Sequence, residues 1–416
     1  MNPVQLFSIL LAISSAIAHQ EYLIAFGKNH EGSESLKIFI SSIEPGPVAI
    51  SVKTLTGFNF TGFATNHEIL QVEIPTSFEV RSANESNKGI RVTAETQSGI
   101  VVNGLNYGTG TTDAFLALPC DWLPVEEYEY YGLAYASHSL SHFVIVGCEN
   151  NTVLQIGSEI VELNKMETYF WESHSFTGTR VTSNRPLAVF VGNPCSFVPR
   201  DDGYCDHLTE QVPPTALWGK RFMIASFAGR ASGELYRILA SKASTSVTVN
   251  CNRINNTIYT LAQAGSWIEF GTPTMNYCSI TSDKPILVMQ FTLGMSLDGI
   301  GDPSMITVPP TEQYKHSYVF NVLPGFLQQS ISIFVTPEHY QPQNIFVDNT
   351  TLENSTRNTV YCSSVEICGY VAYANITPGV HQLHHTDALS RVGLLVYGFD
   401  GARSYGYPGG LSLQSK

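Results

Sequence analysis

Three groups of side chains have the types and spacing for chemistry. Asp201, Asp202 and Asp206 lie close together beside Cys205, and Asp298 and Asp302 form a second acidic pair. Clustered carboxylates are hard oxygen ligands of the kind calcium takes, yet neither group fits the twelve-residue calcium loop, so both read as acidic surface loops. His384, His385 and Asp387 combine imidazole with carboxylate, as metal and acid–base sites do. The stretch GMSLDG at 294–299 sets a serine near glycines but lacks the G-x-S-x-G spacing, and it follows a strand pattern without opening a helix. The eight cysteines contain no C-x-x-C pair and meet no paired histidines, which disfavours zinc. Glycosidase carboxylate pairs are defined by a distance, on which the sequence is silent. The expectation is therefore a non-enzymatic chain with no catalytic, cofactor-binding or metal residues.

The elements that would carry these groups are repeated. TSNRPLAVF at 182–190 returns as TSDKPILVM at 281–289. Trp171 and Trp267 recur at a step of 96, as do Trp122, Trp218 and Tyr314, and so does the Pro-Pro-Thr of 213–215 at 309–311. Between these markers short β-branched and aromatic runs, bounded by Gly, Asn, Ser and Pro, read as strands. No window keeps helical apolar spacing for long. The proline of the phrase cannot donate to a ladder, so it is placed at a turn before a buried strand that closes each unit. His384, His385 and Asp387 fall on that same turn in the last copy, which makes them structural.

The expected fold is all-β, in four tandem modules at 20–124, 125–217, 218–314 and 315–416. Each has roughly seven strands and resembles a β-sandwich in size. A propeller with blades of about 48 residues is the alternative, but no half-period is visible.

Residues 1–18 read as a signal peptide, with an apolar run from Leu6 to Ile13, too short to span a bilayer, before the small-x-small Ala16-Ile17-Ala18. Seven glycosylation sequons, at Asn59, Asn84, Asn150, Asn255, Asn349, Asn354 and Asn375, agree with secretion, as does the even cysteine count. Proximity pairs Cys195 with Cys205, Cys362 with Cys368 and Cys251 with Cys278, leaving Cys120 with Cys148. The net charge of −13, with only 14% charged residues and no basic cluster along the chain, excludes nucleic acid as a partner. No later segment is long and apolar enough to span a membrane, and the polar tail GGLSLQSK does not suit a lipid anchor.

The stretch TSNRPLAVFVGNPCSFVPRDDGYCDHLTEQVPPTALWGKRF at 182–222 resembles the core motif of the IgG Fc-binding protein N-terminal domain family, as do GDPSMITVPPTEQY at 301–314 and VYGFDGARSYGYPGGL at 396–411. The resemblance implies a secreted glycoprotein of the mucus or adhesive type. Relatives often carry von Willebrand type D modules, and this sequence shows none, so gel-forming polymerisation is not expected. The resemblance supplies no residue-level Fc contact.

The function expected is an extracellular binding or adhesion module whose partners are glycoproteins, mucus components or microbial surfaces. A matrix or mucus component without a discrete ligand is the first rival, and a secreted hydrolase the second. Recognition is placed on the connectors 104–124, 192–217 and 294–314, because loops on a rigid frame usually carry binding. At the end of 192–217, Pro213 and Pro214, with Trp218 just beyond, are expected to be structural. The disulfide-closed tip with Arg200, Asp202 and Tyr204 is expected to be exposed.

Overall fold

The computed structural model describes residues 19–413 except 97, 121–127, 138, 175, 201 and 252–255. The signal peptide, Trp122, Asp201 and Asn255 therefore lie outside the described residues. The described chain is built of β-strands and a few single-turn helices, and none of its helices is long and apolar enough to cross a membrane.

Alternation explains the strands locally. Along Val48–Thr54 the side chains of Val48, Ile50 and Val52 are buried, whereas Ala49 and Lys53 face solvent. The first unit forms two four-stranded sheets. One runs His19–Ile24, Ile90–Glu95, Val48–Thr54, Asn59–Ala64; the other runs Thr111–Leu116, Ile100–Gly108, Ser35–Ser42, Leu70–Ile74. The second unit repeats this order with Tyr128–Tyr131, Arg180–Ser183, Thr152–Ile156, Glu159–Leu163, and with Thr168–Ser173, Ser141–Gly147, Leu187–Phe197, Cys205–Gln211. The architecture is thus sandwich-like, with eight strand positions where about seven were expected.

The repeated phrase is the corner where the chain leaves one sheet for the other. Ser183 donates its hydroxyl to the Arg185 carbonyl at 2.7 Å, and Ser282 does the same to Lys284 at 2.7 Å. The next residue also has one job in both copies. Asn184 accepts the Val153 N–H at 2.8 Å, and Asp283 accepts the Ser246 N–H at 2.8 Å. Proline follows because the corner leaves its nitrogen nothing to donate to. In the first copy Leu187–Phe197 begins after Pro186, as the sequence suggested. In the second, strand continues through Pro285 from Tyr277 to Thr292 and serves both sheets.

The strand that sequence reading missed follows the corner strand and returns along it: Thr111–Leu116, Cys205–Gln211, Met305–Thr307 and Arg403–Pro408. These return strands sit on the central edge of their sheets and bring all four units together. Units one and two meet where Gln211 accepts the Leu118 N–H at 2.8 Å. Units two and three meet where Glu210 accepts the Thr307 N–H at 2.9 Å. Tyr397 of the fourth unit accepts the Ala228 N–H at 2.9 Å. The fourth unit then returns to the first, with Asn321 donating to Asn103 at 3.0 Å and Arg403 to the Tyr107 hydroxyl at 2.9 Å. One apolar cluster runs across that last seam, joining Leu105, Ala114 and Leu116 to Ile331, Val396 and Tyr407. The four units close into a ring, the third and fourth sharing one twelve-stranded sheet.

Candidate recognition surface

At the axis of the ring each return strand would expose an unpaired edge, a row of N–H and C=O groups that must be satisfied once buried. Acidic side chains meet them. Asp113 accepts N–H groups from Ala114 at 2.9 Å, Thr209 at 3.1 Å and Met305 at 3.3 Å, and its carboxyl also takes the Gly406 N–H. One carboxyl thereby touches the backbone of all four units. Asp206 accepts the N–H groups of Thr112 and His207. Asp113, Asp206, His207 and Glu210 are at most 1% exposed. Burial pushes all three carboxyls well above the usual range, and it pushes His207 down to about 3. The CDHLTEQ motif is therefore an architectural latch.

This corrects the placement of recognition on whole connectors. Much of 104–124 and 192–217, and all of 301–310, is buried, because these segments contain the return strands and their approaches. Trp218 is buried and donates its indole N–H to the Pro213 carbonyl at 3.1 Å; Pro213 and Pro214 are buried beside it.

The tip splits. Arg200 is exposed and Tyr204 is 47% exposed. Asp202, expected outside, is buried. It accepts the Tyr204 N–H at 2.9 Å and the hydroxyl of Ser296, which arrives from the third unit. The Gly294 N–H donates to the Val198 carbonyl at 2.7 Å, so the tip is stitched to the 293–301 loop. Arg237 braces the same seam from below. Its guanidinium lies 4.4 Å from the Tyr135 ring centroid and 4.6 Å from that of Trp267, and it pairs with Glu269 at 2.8 Å.

The other candidate residues fall apart as sites. Asp298 pairs with buried Arg230, and Asp302 accepts the Met295 N–H at 3.0 Å. His385 accepts the Asp387 N–H at 3.0 Å, and Asp387 in turn accepts from Leu389 and Ser390, which shapes a turn. Among the described residues, no three His, Cys, Asp or Glu side chains converge as a metal site would require. The disulfides are Cys120–Cys148, Cys195–Cys205, Cys251–Cys278 and Cys362–Cys368, and the first ties the end of unit one to unit two. Asn59, Asn84, Asn150, Asn349, Asn354 and Asn375 are all exposed.

The buried acids carry a pH signature. Burial raises Glu234 and Asp302 to about 7, from ordinary values near ~4. The folded state therefore takes up protons there. Their contribution is complete at low pH and is lost as pH rises through 7. His142 and His207, pushed down by burial, act in the opposite sense, contributing fully above about 6.5 and losing this as pH falls. Between pH 8 and 7 the histidines change little, being mostly neutral even in the unfolded chain, while the acids titrate. The melting temperature is expected to rise as pH is lowered through that window. A flat or falling profile would show these carboxyls ionised in the folded state.

Comparison with known proteins agrees with the latch motif. A family model described as IgGFc binding protein matches residues 113–398. The human IgGFc-binding protein is 22% identical over 410 residues, covering 93% of this chain. The chain spans only 7% of the length of that relative. The family match begins at Asp113, the carboxyl shared by all four units, and runs through the Cys205–Gln211 latch into the strand before the last return. The chain belongs to the IgGFc binding protein family.

Proposed function

We propose that this chain is a secreted, non-enzymatic glycoprotein that acts as an extracellular binding or adhesion module. The observation that carries the reading is the family match over 113–398. The ring supports it physically, since a frame locked at its axis holds peripheral loops in fixed positions and lowers the entropy lost on binding. Six exposed sequons and four disulfides suit an extracellular setting. The units 20–124, 125–217, 218–314 and 315–416 are proposed as structural repeats of one cooperative body.

Capture on the immobilised chain from mucus or body fluid, with mass spectrometry of what is retained, tests the reading. Immunoglobulin Fc is included as a defined probe, because the human relative is named for it. Specific retention of glycoproteins or microbial surface components supports a binding role, and retention of nothing above background leaves a matrix role in its place. Turnover of a glycoside and ester panel would overturn the non-enzymatic assignment.

Arg200 and Tyr204 are the proposed contacts at the tip, as Arg and Tyr are favoured at binding hot spots. Arg200→Ala with Tyr204→Ala is expected to leave the melting temperature within a few degrees, since exposed substitutions stay within about 0.5 kcal/mol, and to weaken capture. Asp202→Ala is expected to cost about 1–3 kcal/mol, because it leaves the Tyr204 N–H and Ser296 hydroxyl without their acceptor. Denaturant unfolding of the two variants separates the two effects.

A further inference from the structure

The chain has a net charge of −13, yet the seam between the third and fourth units gathers cations that are distant in sequence. Two adjoining cavities of about 410 Å³ each share Arg221, Thr311, Tyr314 and Arg391. The second also takes in Glu312, Lys315, His316, Ser317 and Ser412.

Among the described residues, only Arg221 of these cations has a carboxylate partner. The Lys315 ammonium lies 5.3 Å from the Tyr318 ring centroid, and among the described residues no carboxylate reaches it. Burial alone pushes its pKa down. Arg391 donates to the carbonyls of Ala388 at 2.7 Å and Ser390 at 3.0 Å, both uncharged. Arg221 makes a loose 3.6 Å pair with Glu312 and is 66% exposed. His316 stands among Arg391, His384, His385 and Lys315, and its Nδ1 is buried without a hydrogen-bond partner. Glu338 and Glu366 line the first cavity against Arg221 and Arg391, whereas the second sets Glu312 against Arg221, Lys315 and Arg391, so the second is the more positive of the two. A partly buried cation without a partner is costly, and an anion arriving at it recovers that cost.

We propose that the second cavity binds a saccharide bearing one carboxylate or sulfate. Lys315 and Arg391 would meet the charge by charge-assisted hydrogen bonds. The Ser317 hydroxyl, and the lone pairs of the Thr311 and Ser412 hydroxyls, whose protons go to Glu312 and Gln313, are the groups that sugar hydroxyls would meet. The volume suits one or two sugar rings and is too small for a folded peptide element. The site is separate from Arg200 and Tyr204, so its failure would leave the proposed function standing.

Calorimetric titration of the intact chain with 3′-sialyllactose, lactose 3′-sulfate and lactose tests the site. The charged sugars are expected to bind at least about tenfold more tightly than lactose. Lys315→Met and Arg391→Gln are each expected to weaken that binding about tenfold, with the melting temperature unchanged. Should Lys315→Met fail to fold, Arg391→Gln and Arg221→Gln, both at exposed side chains, carry the test. The Arg200→Ala, Tyr204→Ala double variant is expected to bind the sugars as the parent does. Equal binding of lactose, undiminished binding by the variants, or no binding at all overturns the proposal. Equal affinity for sodium sulfate would reduce the cleft to a bare anion site, and equal competition by a tetraglutamate peptide would make it a peptide site; either outcome refutes the saccharide.

Discussion

Asp113→Leu is expected to prevent the ring from closing. The side chain is fully buried and serves N–H groups of Thr209, Met305 and Gly406 in the three other units, besides that of Ala114 in its own. Leucine fits the volume but offers no acceptor. Each buried donor left unpaired costs about 1–3 kcal/mol. Three such losses rival the whole stability of an ordinary protein, about 5–15 kcal/mol. Asp113→Asn should be far milder, since burial already favours the uncharged acid and the amide retains an oxygen acceptor. Secretion yield and guanidinium unfolding of both variants check this. Parent-like stability of Asp113→Leu would show that the axis closes by apolar packing alone.

Arg230→Ala is the second large effect expected, at about 3–5 kcal/mol, the usual consequence of stranding one member of a buried ion pair. The Arg230 and Asp298 side chains are each 1% exposed and meet at 2.8 Å. Arg230 also donates to the carbonyls of Gly301, at 3.0 Å, and of Leu293, and lies 5.5 Å from the Phe399 ring centroid in the fourth unit. Ser232 adds its hydroxyl to Asp298 at 2.9 Å. Replacing both charges together, Arg230→Met with Asp298→Leu, should cost less than Arg230→Ala, because no charge is then left alone. Thermal unfolding of the single and double variants decides the point. Should the double variant prove worse, the bonds to Gly301 and Leu293 would be the dominant contribution.

Much of the local structure was legible in the sequence. Strands alternate against water, and the corner phrase repeats because Ser183 and Ser282 close the same turn. Three cysteine pairs were read from proximity and the fourth from what remained. The return strand Cys205–Gln211 was not legible. Alternation assumes that polar side chains face solvent, but at an axis the far side of a strand is another strand's edge. There Asp206 and Glu210 are interior groups, although as residue types they read as a loop. Asp202 misled for a related reason, since its partner Ser296 is 94 positions away. The cationic seam was invisible for the same cause: Arg221, Lys315 and Arg391 are scattered along the chain and meet only once the ring closes.

Ring closure also bears on how the chain is made. Synthesis is vectorial, so the first sandwich emerges long before Arg403–Pro408, the strand that lies beside Thr111–Leu116 at the axis. Until the final residues arrive, Asp113 waits without the Gly406 N–H, and the apolar face of Leu105, Ala114 and Leu116 stays open. The nascent protein must therefore be shielded over nearly its whole length, and early units cannot be finished one at a time. A chain stopped just before Arg403 is expected to be retained in the cell rather than exported, with protease cuts mapping to its first-made residues rather than its last.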